Sequence, residues 1–186
     1  MHSMHSTTPL TTPLTTPLTP SFSPKMTLLE FLGSGSCKRV HRAVWQGADV
    51  AVLTPKSHFT LTREMKVMMK ATGSKRLLQF IGGDEKALIC ELAERGSVLD
   101  LDDALDFDGE NLSQNDVHTM MGQVLEGVSE LSKLGLQHGD LHARNVLVFS
   151  YPRIEIKLGD LGECREGSTR SYELQELQCE LNALIR

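Results

Sequence analysis

The chain has no long apolar run. Nothing in its 186 residues approaches the roughly 18 consecutive apolar residues that a membrane-crossing helix needs. It also lacks an excess of basic charge: 19 lysines and arginines face 24 aspartates and glutamates, for a net charge of −5. General nucleic-acid binding rests on counterion release at basic surfaces, which such a chain does not offer. Cysteine is sparse, and the four that exist (Cys37, Cys90, Cys164 and Cys179) are far apart with no C-x-x-C pair. With no secretory signal read, they are expected as reduced thiols in the cytoplasm, not as a disulfide frame or a zinc site. What remains is an ordinary globular balance, 40% hydrophobic and 23% charged. That excludes wholesale disorder and a coiled coil as descriptions of the whole.

Proline is scarce outside the first 24 residues, which hold five of the seven. There Thr-Thr-Pro-Leu occurs in tandem at Thr7–Leu10, Thr11–Leu14 and Thr15–Leu18. Proline at every fourth position removes backbone donors and blocks helix, so residues 1–25 are read as a disordered tail. A passive tail is the first reading of the repeat, and a docking or proline-directed phosphorylation segment is the alternative. A folded unit is expected over residues 26–186. A chain of that size buries roughly 68–70% of its extended surface, enough for one core.

Three strand-like runs open that unit, Thr27–Leu32, Val40–Trp45 and Asp49–Leu53, separated by Gly33-Ser-Gly35-Ser and Gln46-Gly47-Ala48 as in a hairpin meander. The pattern predicts a helix over Thr62–Ala71, with Met65, Met68 and Met69 as core. Two further runs, Leu77–Ile81 and Ala87–Cys90, flank a Gly82-Gly83-Asp84 turn signal. The strongest helix is Asp116–Lys133. Its stripe is Val117, Met120, Met121, Val124, Leu125, Val128 and Leu131, with Ser113 and Asp116 as a capping pair. Two short strands, Asn145–Phe149 and Ile154–Leu158, and a last helix over Tyr172–Ile185 complete the order. Asp100–Glu110 reads as a solvated acidic segment, and Cys90 and His138 as packed structural residues. The fold class is α+β in two lobes.

Chemistry concentrates in His138-Gly-Asp140-Leu-His-Ala-Arg-Asn145 and, one strand pair later, Asp160-Leu-Gly162. Asp140 and Asn145 stand before the first strand of that hairpin and Asp160 after the second, so the three side chains can converge. Hard oxygen donors of this kind suit Mg²⁺, which takes one or two protein ligands together with substrate phosphates.

On these residues the chain resembles the catalytic domain of eukaryotic protein kinases, of the tyrosine kinase and tyrosine-kinase-like type. His138–Asn145 is similar to the H-R-D-L-A-A-R-N loop and Asp160–Gly162 to D-F-G. Gly33–Val40 is similar to the glycine-rich G-x-G-x-x-G-x-V, Val50–Val52 to the start of V-A-I-K, and Ile89–Ala93 to the hinge. The resemblance implies ATP and Mg as cofactors, a protein substrate or regulatory protein partner, and a role for each matching residue. Asp140 would orient the substrate hydroxyl and take its proton. Asn145 and Asp160 would be the metal ligands. Gly33 and Gly35 would let backbone approach the phosphates, and Val40 and Ala51 would sandwich adenine. Glu91 and Ala93 would hydrogen-bond the adenine edge through their backbone. Arg144 matches the arginine of the tyrosine-kinase loop, and Glu64 the glutamate of the first helix. Such catalysis is mostly positioning and charge stabilisation.

Four departures stand beside this. Leu53 holds the place of the strand lysine that should pair with Glu64 and the phosphates, and Lys56 would lie on the opposite face. Losing one charge-assisted contact costs about 1.5–3 kcal/mol. Lys38 stands at the third glycine of the loop, either as a solvent-exposed residue or as a cation replacing the lost lysine. Gly139 replaces the loop arginine. The sequence ends 24 residues past Gly162, so either the chain is a fragment or the Tyr172–Ile185 helix closes a minimal lobe. Three functions stay open: a protein kinase, a pseudokinase that binds nucleotide or partners, and a small-molecule phosphotransferase. The last is suggested by the likeness of His138-Gly-Asp140-Leu-His142 to the H-G-D-x-H of aminoglycoside and choline phosphotransferases.

Overall fold

The computed structural model describes residues 26–186. The Thr/Pro-rich segment expected to be disordered lies outside the described residues. The three opening runs form β1 (Met26–Ser34), β2 (Lys38–Trp45) and β3 (Ala48–Pro55). Gln46 and Gly47, both at positive φ (54° and 84°), make the two-residue turn that matches strand twist between β2 and β3. After α1 (Thr62–Lys70), β4 (Phe80–Asp84) and β5 (Ala87–Glu91) complete a five-stranded sheet of order β1-β2-β3-β5-β4, antiparallel at every pairing. Alternation along β3 separates two faces. Val50 and Val52 pack with Ala43 and Ile89 on one side, while Ala51 and Leu53 join the main core with Leu88 and Cys90 on the other.

The glycine pair before β5 corrects the expected turn. Gly82 and Gly83 lie inside β4, and the chain reverses at Glu85-Lys86, where Asp84 Oδ1 accepts the Lys86 amide at 2.8 Å. Gly83, at φ 101°, would set a Cβ 2.0 Å from the Ala87 carbonyl, so the glycine serves a close strand approach.

Below the sheet, α2 (Val98–Phe107) and α3 (Gln114–Lys133) each begin on a capping box, Ser97 with Asp100 and Ser113 with Asp116. The acidic 100–110 stretch was expected as solvated surface. Most of it is α2, which buries Val98, Leu101 and Leu105 and turns most of its aspartates outward. In α3 the buried stripe follows the expected residues except at Leu125, which is half-exposed, and Val128, which is partly buried. Gly127 takes a share of the contact: a Cβ there would come within 2.9 Å of Leu158 Cδ1. In α1, Met68 is fully buried, but Met69 faces outward at 56% exposure.

The remaining chain wraps α3. β6 (Leu136–Gln137) pairs with β9 (Arg165–Glu166), and β7 (Val146–Ser150) with β8 (Glu155–Leu158). The last helix, α4 (Ser171–Ala183), buries Leu177 and Leu181 completely. Beyond it Ile185 bridges to Leu112, and Arg186 reaches Asp102 at 3.0 Å and Asp106 at 2.5 Å on α2. One continuous core runs from Ala51 in the sheet to Leu181 in α4. No helix among the described residues is long and apolar enough to cross a membrane.

Since Leu177 is fully buried in that core, Leu177→Ala should cost about 2–5 kcal/mol. A urea titration should show the midpoint fall with little change in slope. An unchanged midpoint would mean that α4 is not part of the cooperative unit.

Candidate active site

A cleft of about 820 Å³ separates the sheet from the helical half. The β1–β2 hairpin roofs it with Gly33, Gly35 and Val40; Ala51 and Leu53 form one wall; Glu91 and Ala93 form the connecting edge; Asp140, Arg144, Asn145 and Asp160 form the floor. Every site residue expected from the sequence except Glu64 lines this one space, and Glu64 reaches it through Lys38.

Lys38 resolves the first two departures. It lies at the start of β2, opposite Pro55, only 9% exposed. Its Nζ is 2.5 Å from Glu64 Oε1 and 2.7 Å from Asp160 Oδ1. Burial works against its charge, but the two carboxylates outweigh burial and hold the ammonium pKa above its ordinary value. Leu53, which occupies the expected lysine position on β3, is buried in the wall. Lys56 is no substitute: its Nζ donates to the Gly35 carbonyl at 2.5 Å and braces the hairpin from outside. A Cβ added at Gly33 or Gly35 would meet nothing within 4 Å among the described residues, so neither glycine is required by packing there.

The floor is fixed from three sides. His138 is fully buried, and its Nε2 lies 2.9 Å from the Gly159 carbonyl. A carbonyl only accepts, so Nε2 carries the proton and Nδ1 is left facing the Asp140 amide at 3.4 Å. Burial lowers the His138 pKa, so the ring is neutral. Gly139 explains the third departure. It sits at φ 84°, and a Cβ there would come within 2.6 Å of the Glu163 carbonyl, so an arginine is excluded from this backbone. Ala143 to Asn145 form a 3₁₀ turn whose Ala143 amide donates to Glu180 Oε2 of α4 at 2.7 Å. Asp160 adopts a left-handed conformation at φ 49°, which aspartate tolerates better than most residues.

Asn145 and Asp160 have donor oxygens to spare. The Asn145 Nδ2 donates to the Asp140 carbonyl at 2.8 Å, and no donor among the described residues reaches its Oδ1. Asp160 commits Oδ1 to Lys38, and no donor among the described residues reaches its Oδ2. Two hard oxygens in a cleft, beside room for a polyanion, fit a Mg²⁺ held jointly with phosphates. At the connecting edge, the Glu91 carboxylate turns away from the cleft. It accepts from Lys157 Nζ at 2.8 and 2.7 Å and from the Gln79 amide at 2.8 Å. Lys157 also sits 4.8 Å over the Phe149 ring.

Sequence reasoning gave no role to Glu180 or Lys157. Their partners are 37 and 66 residues away, and neither belongs to a motif.

A family model described as protein tyrosine and serine/threonine kinase matches residues 26–183. The chain belongs to that family. It is 30% identical over 144 residues to mitogen-activated protein kinase kinase 10 of Arabidopsis thaliana, covering 74% of this chain and 45% of that protein. It is 29% identical over 150 residues to protein-tyrosine kinase 6 of Homo sapiens, covering 76% of this chain and 32% of that protein. A putative insulin-like peptide receptor of Hydra vulgaris is 27% identical over 168 residues, 80% of this chain and 11% of the receptor. The chain thus spans less than half the length of these curated relatives.

Two outcomes follow from the site. Lys38→Met leaves the 3%-exposed Glu64 without its cation, and should destabilise by about 3–5 kcal/mol in urea. Lys38→Met with Glu64→Leu should recover much of that loss; no recovery would mean the pair is not what the first substitution broke. For His138 the folded pKa lies below its ordinary 6.5. Its contribution to stability is present above about pH 6.5 and is lost as pH falls from there towards the lowered folded value. Stability measured from pH 7 to 5 should decline less steeply in His138→Asn than in the unaltered protein.

Proposed function

We propose that the chain is an ATP-dependent phosphotransferase domain acting on protein tyrosine or serine/threonine hydroxyls. One observation carries this reading: Lys38 joins Glu64 to Asp160 in the cleft that also holds Asp140 and Asn145. A pocket that had lost its chemistry would have no reason to rebuild this buried ion triad from another strand. Residues 26–90 would form the upper lobe, 91–96 the hinge and 97–186 the lower lobe, with ATP between them.

Each residue acts in a way its surroundings permit. Gly33 and Gly35 bring backbone close to the phosphates. Val40 and Ala51 enclose the adenine, and the backbone at Glu91 and Ala93 pairs with its edge. Lys38 places a fixed positive charge at the inner end of the cleft, where negative charge grows during transfer. Asn145 Oδ1 and Asp160 Oδ2 would hold Mg²⁺, which supplies neutralisation of the phosphate charge. Asp140 orients the acceptor hydroxyl and takes up its proton. Arg144 adds positive charge on the acceptor side. Support from the relatives is that two of them are named as protein kinases.

Thermal melting with Mg·ATP, followed by transfer assays on general protein substrates, tests the reading. A ligand at about 100 times its Kd adds roughly 2.7 kcal/mol of stability, so the melting temperature should rise. Asp160→Asn should abolish that rise. Asp140→Ala should keep it while losing about 10²–10⁴-fold in transfer rate. Equal transfer by Asp140→Ala and the unaltered chain would remove the enzyme reading, and a melting temperature indifferent to Mg·ATP would remove the nucleotide as well.

A further inference from the structure

We propose that His142 is a positioning residue. It supplies the acceptor that keeps the Asn145 amide turned with its oxygen toward the metal while Asp140 is engaged elsewhere. This rests on the reading of the cleft as a Mg·nucleotide site.

The Asn145 amide nitrogen has three acceptors around it. They are the Asp140 carbonyl at 2.8 Å, Asp140 Oδ2 at 3.2 Å and His142 Nε2 at 3.2 Å. It has two hydrogens to give. The backbone carbonyl is nearest and takes one. The other lies between a carboxylate and an imidazole. Turning the amide over would set its oxygen against both Asp140 oxygens, so the environment fixes which end faces the cleft. Because an amide nitrogen cannot accept, His142 Nε2 must, and the ring proton resides on Nδ1.

The carboxylate is the less dependable of the two second acceptors. In the proposed reaction Asp140 receives the acceptor hydroxyl, and a lone pair given to Asn145 is then withdrawn from that task. His142 Nε2 also lies 3.4 Å from Asp140 Oδ2, but the Asn145 amide at 3.2 Å is its nearer partner. The His142 backbone is held in place by the fold. Its carbonyl accepts the Asn145 amide at 2.9 Å, closing the 3₁₀ turn, and Glu180 grips the next residue, Ala143. Helix α4 thus steadies the turn that carries the ring, the ring accepts from the amide, and the amide presents Oδ1.

Replacing His142 by leucine or alanine removes the acceptor. Replacing it by glutamine keeps one, because glutamine Oε1 reaches about as far as the imidazole Nε2. The measurement is Mn²⁺ binding to the full chain at fixed ADP, followed by electron paramagnetic resonance, which needs no turnover. Both His142→Leu and His142→Ala should weaken Mn²⁺ about tenfold. His142→Gln should stay within about twofold of the unaltered chain. In an Asn145→Ala background, His142→Leu should have no further effect, since the amide it serves is gone. Tight Mn²⁺ binding by the leucine and alanine variants, weak binding by the glutamine variant, or full additivity with Asn145→Ala would each overturn the proposal. If the unaltered chain holds no Mn·ADP, the nucleotide reading itself fails and His142 loses its role with it. If the unaltered chain binds and the leucine variant binds equally, only the role of His142 fails.

Discussion

A lysine ammonium caught between two carboxylates holds the two halves of this cleft in register. Lys38 comes from the roof, Glu64 from the helix behind the sheet and Asp160 from the floor. All three meet within hydrogen-bond reach, two of them almost fully buried. Burying one charge alone would cost several kcal/mol, so the cluster is stable only as a set. Its members come from the roof, the helix behind the sheet and the floor, which makes the triad a strut across the cleft as well as a feature of its electrostatics. Asp160 is the shared member, with one oxygen bound to the strut and the other facing the space where phosphates and metal would lie.

The floor depends on a different economy. Its backbone turns are held by three local supports: a buried histidine on the Gly159 carbonyl, a glycine where no Cβ fits, and a glutamate of α4 on the Ala143 amide. At the connecting edge Lys157 and Glu91 do the same for the strand that leads out of the sheet. These supports leave the Asp140 carboxylate, the Asn145 carbonyl oxygen and one oxygen of Asp160 facing the cleft. A site that must receive a charged ligand benefits from having its own polar groups committed in advance, because nothing has to reorganise when the ligand arrives.

Much of the frame was legible in the residues. The period-two runs of β2 and β3, the stripe of α3 with its Ser113–Asp116 cap, and the Asp140, Asn145 and Asp160 spacing all carry their signal locally. Helix α2 was not legible because its aspartates mask three inward apolar residues, Val98, Leu101 and Leu105, at spacings of three and four. The glycine pair in β4 resembled a turn because glycine permits both a turn and a close strand approach, and only the neighbouring Ala87 carbonyl decides between them. The role of Lys38 could be named from the sequence as one of two readings but not decided. Its partners stand 26 and 122 residues away, and only the folded chain brings them together. Glu180 was invisible for the same reason, since an outward glutamate on an amphipathic helix has no distinguishing mark until the turn it caps is in place.

The exchange of Leu53 for Lys38 changes what the cavity offers to small molecules. A side wall that would ordinarily present an amine presents methyl groups, and the amine descends from the hairpin above. Inhibitors that rely on a polar anchor at the wall would lose that anchor here, while bulkier greasy substituents would gain room against Leu53. An electrophile designed to capture a lysine would need to point at the ceiling, giving medicinal chemistry a handle that separates this cavity from those built with the amine on β3.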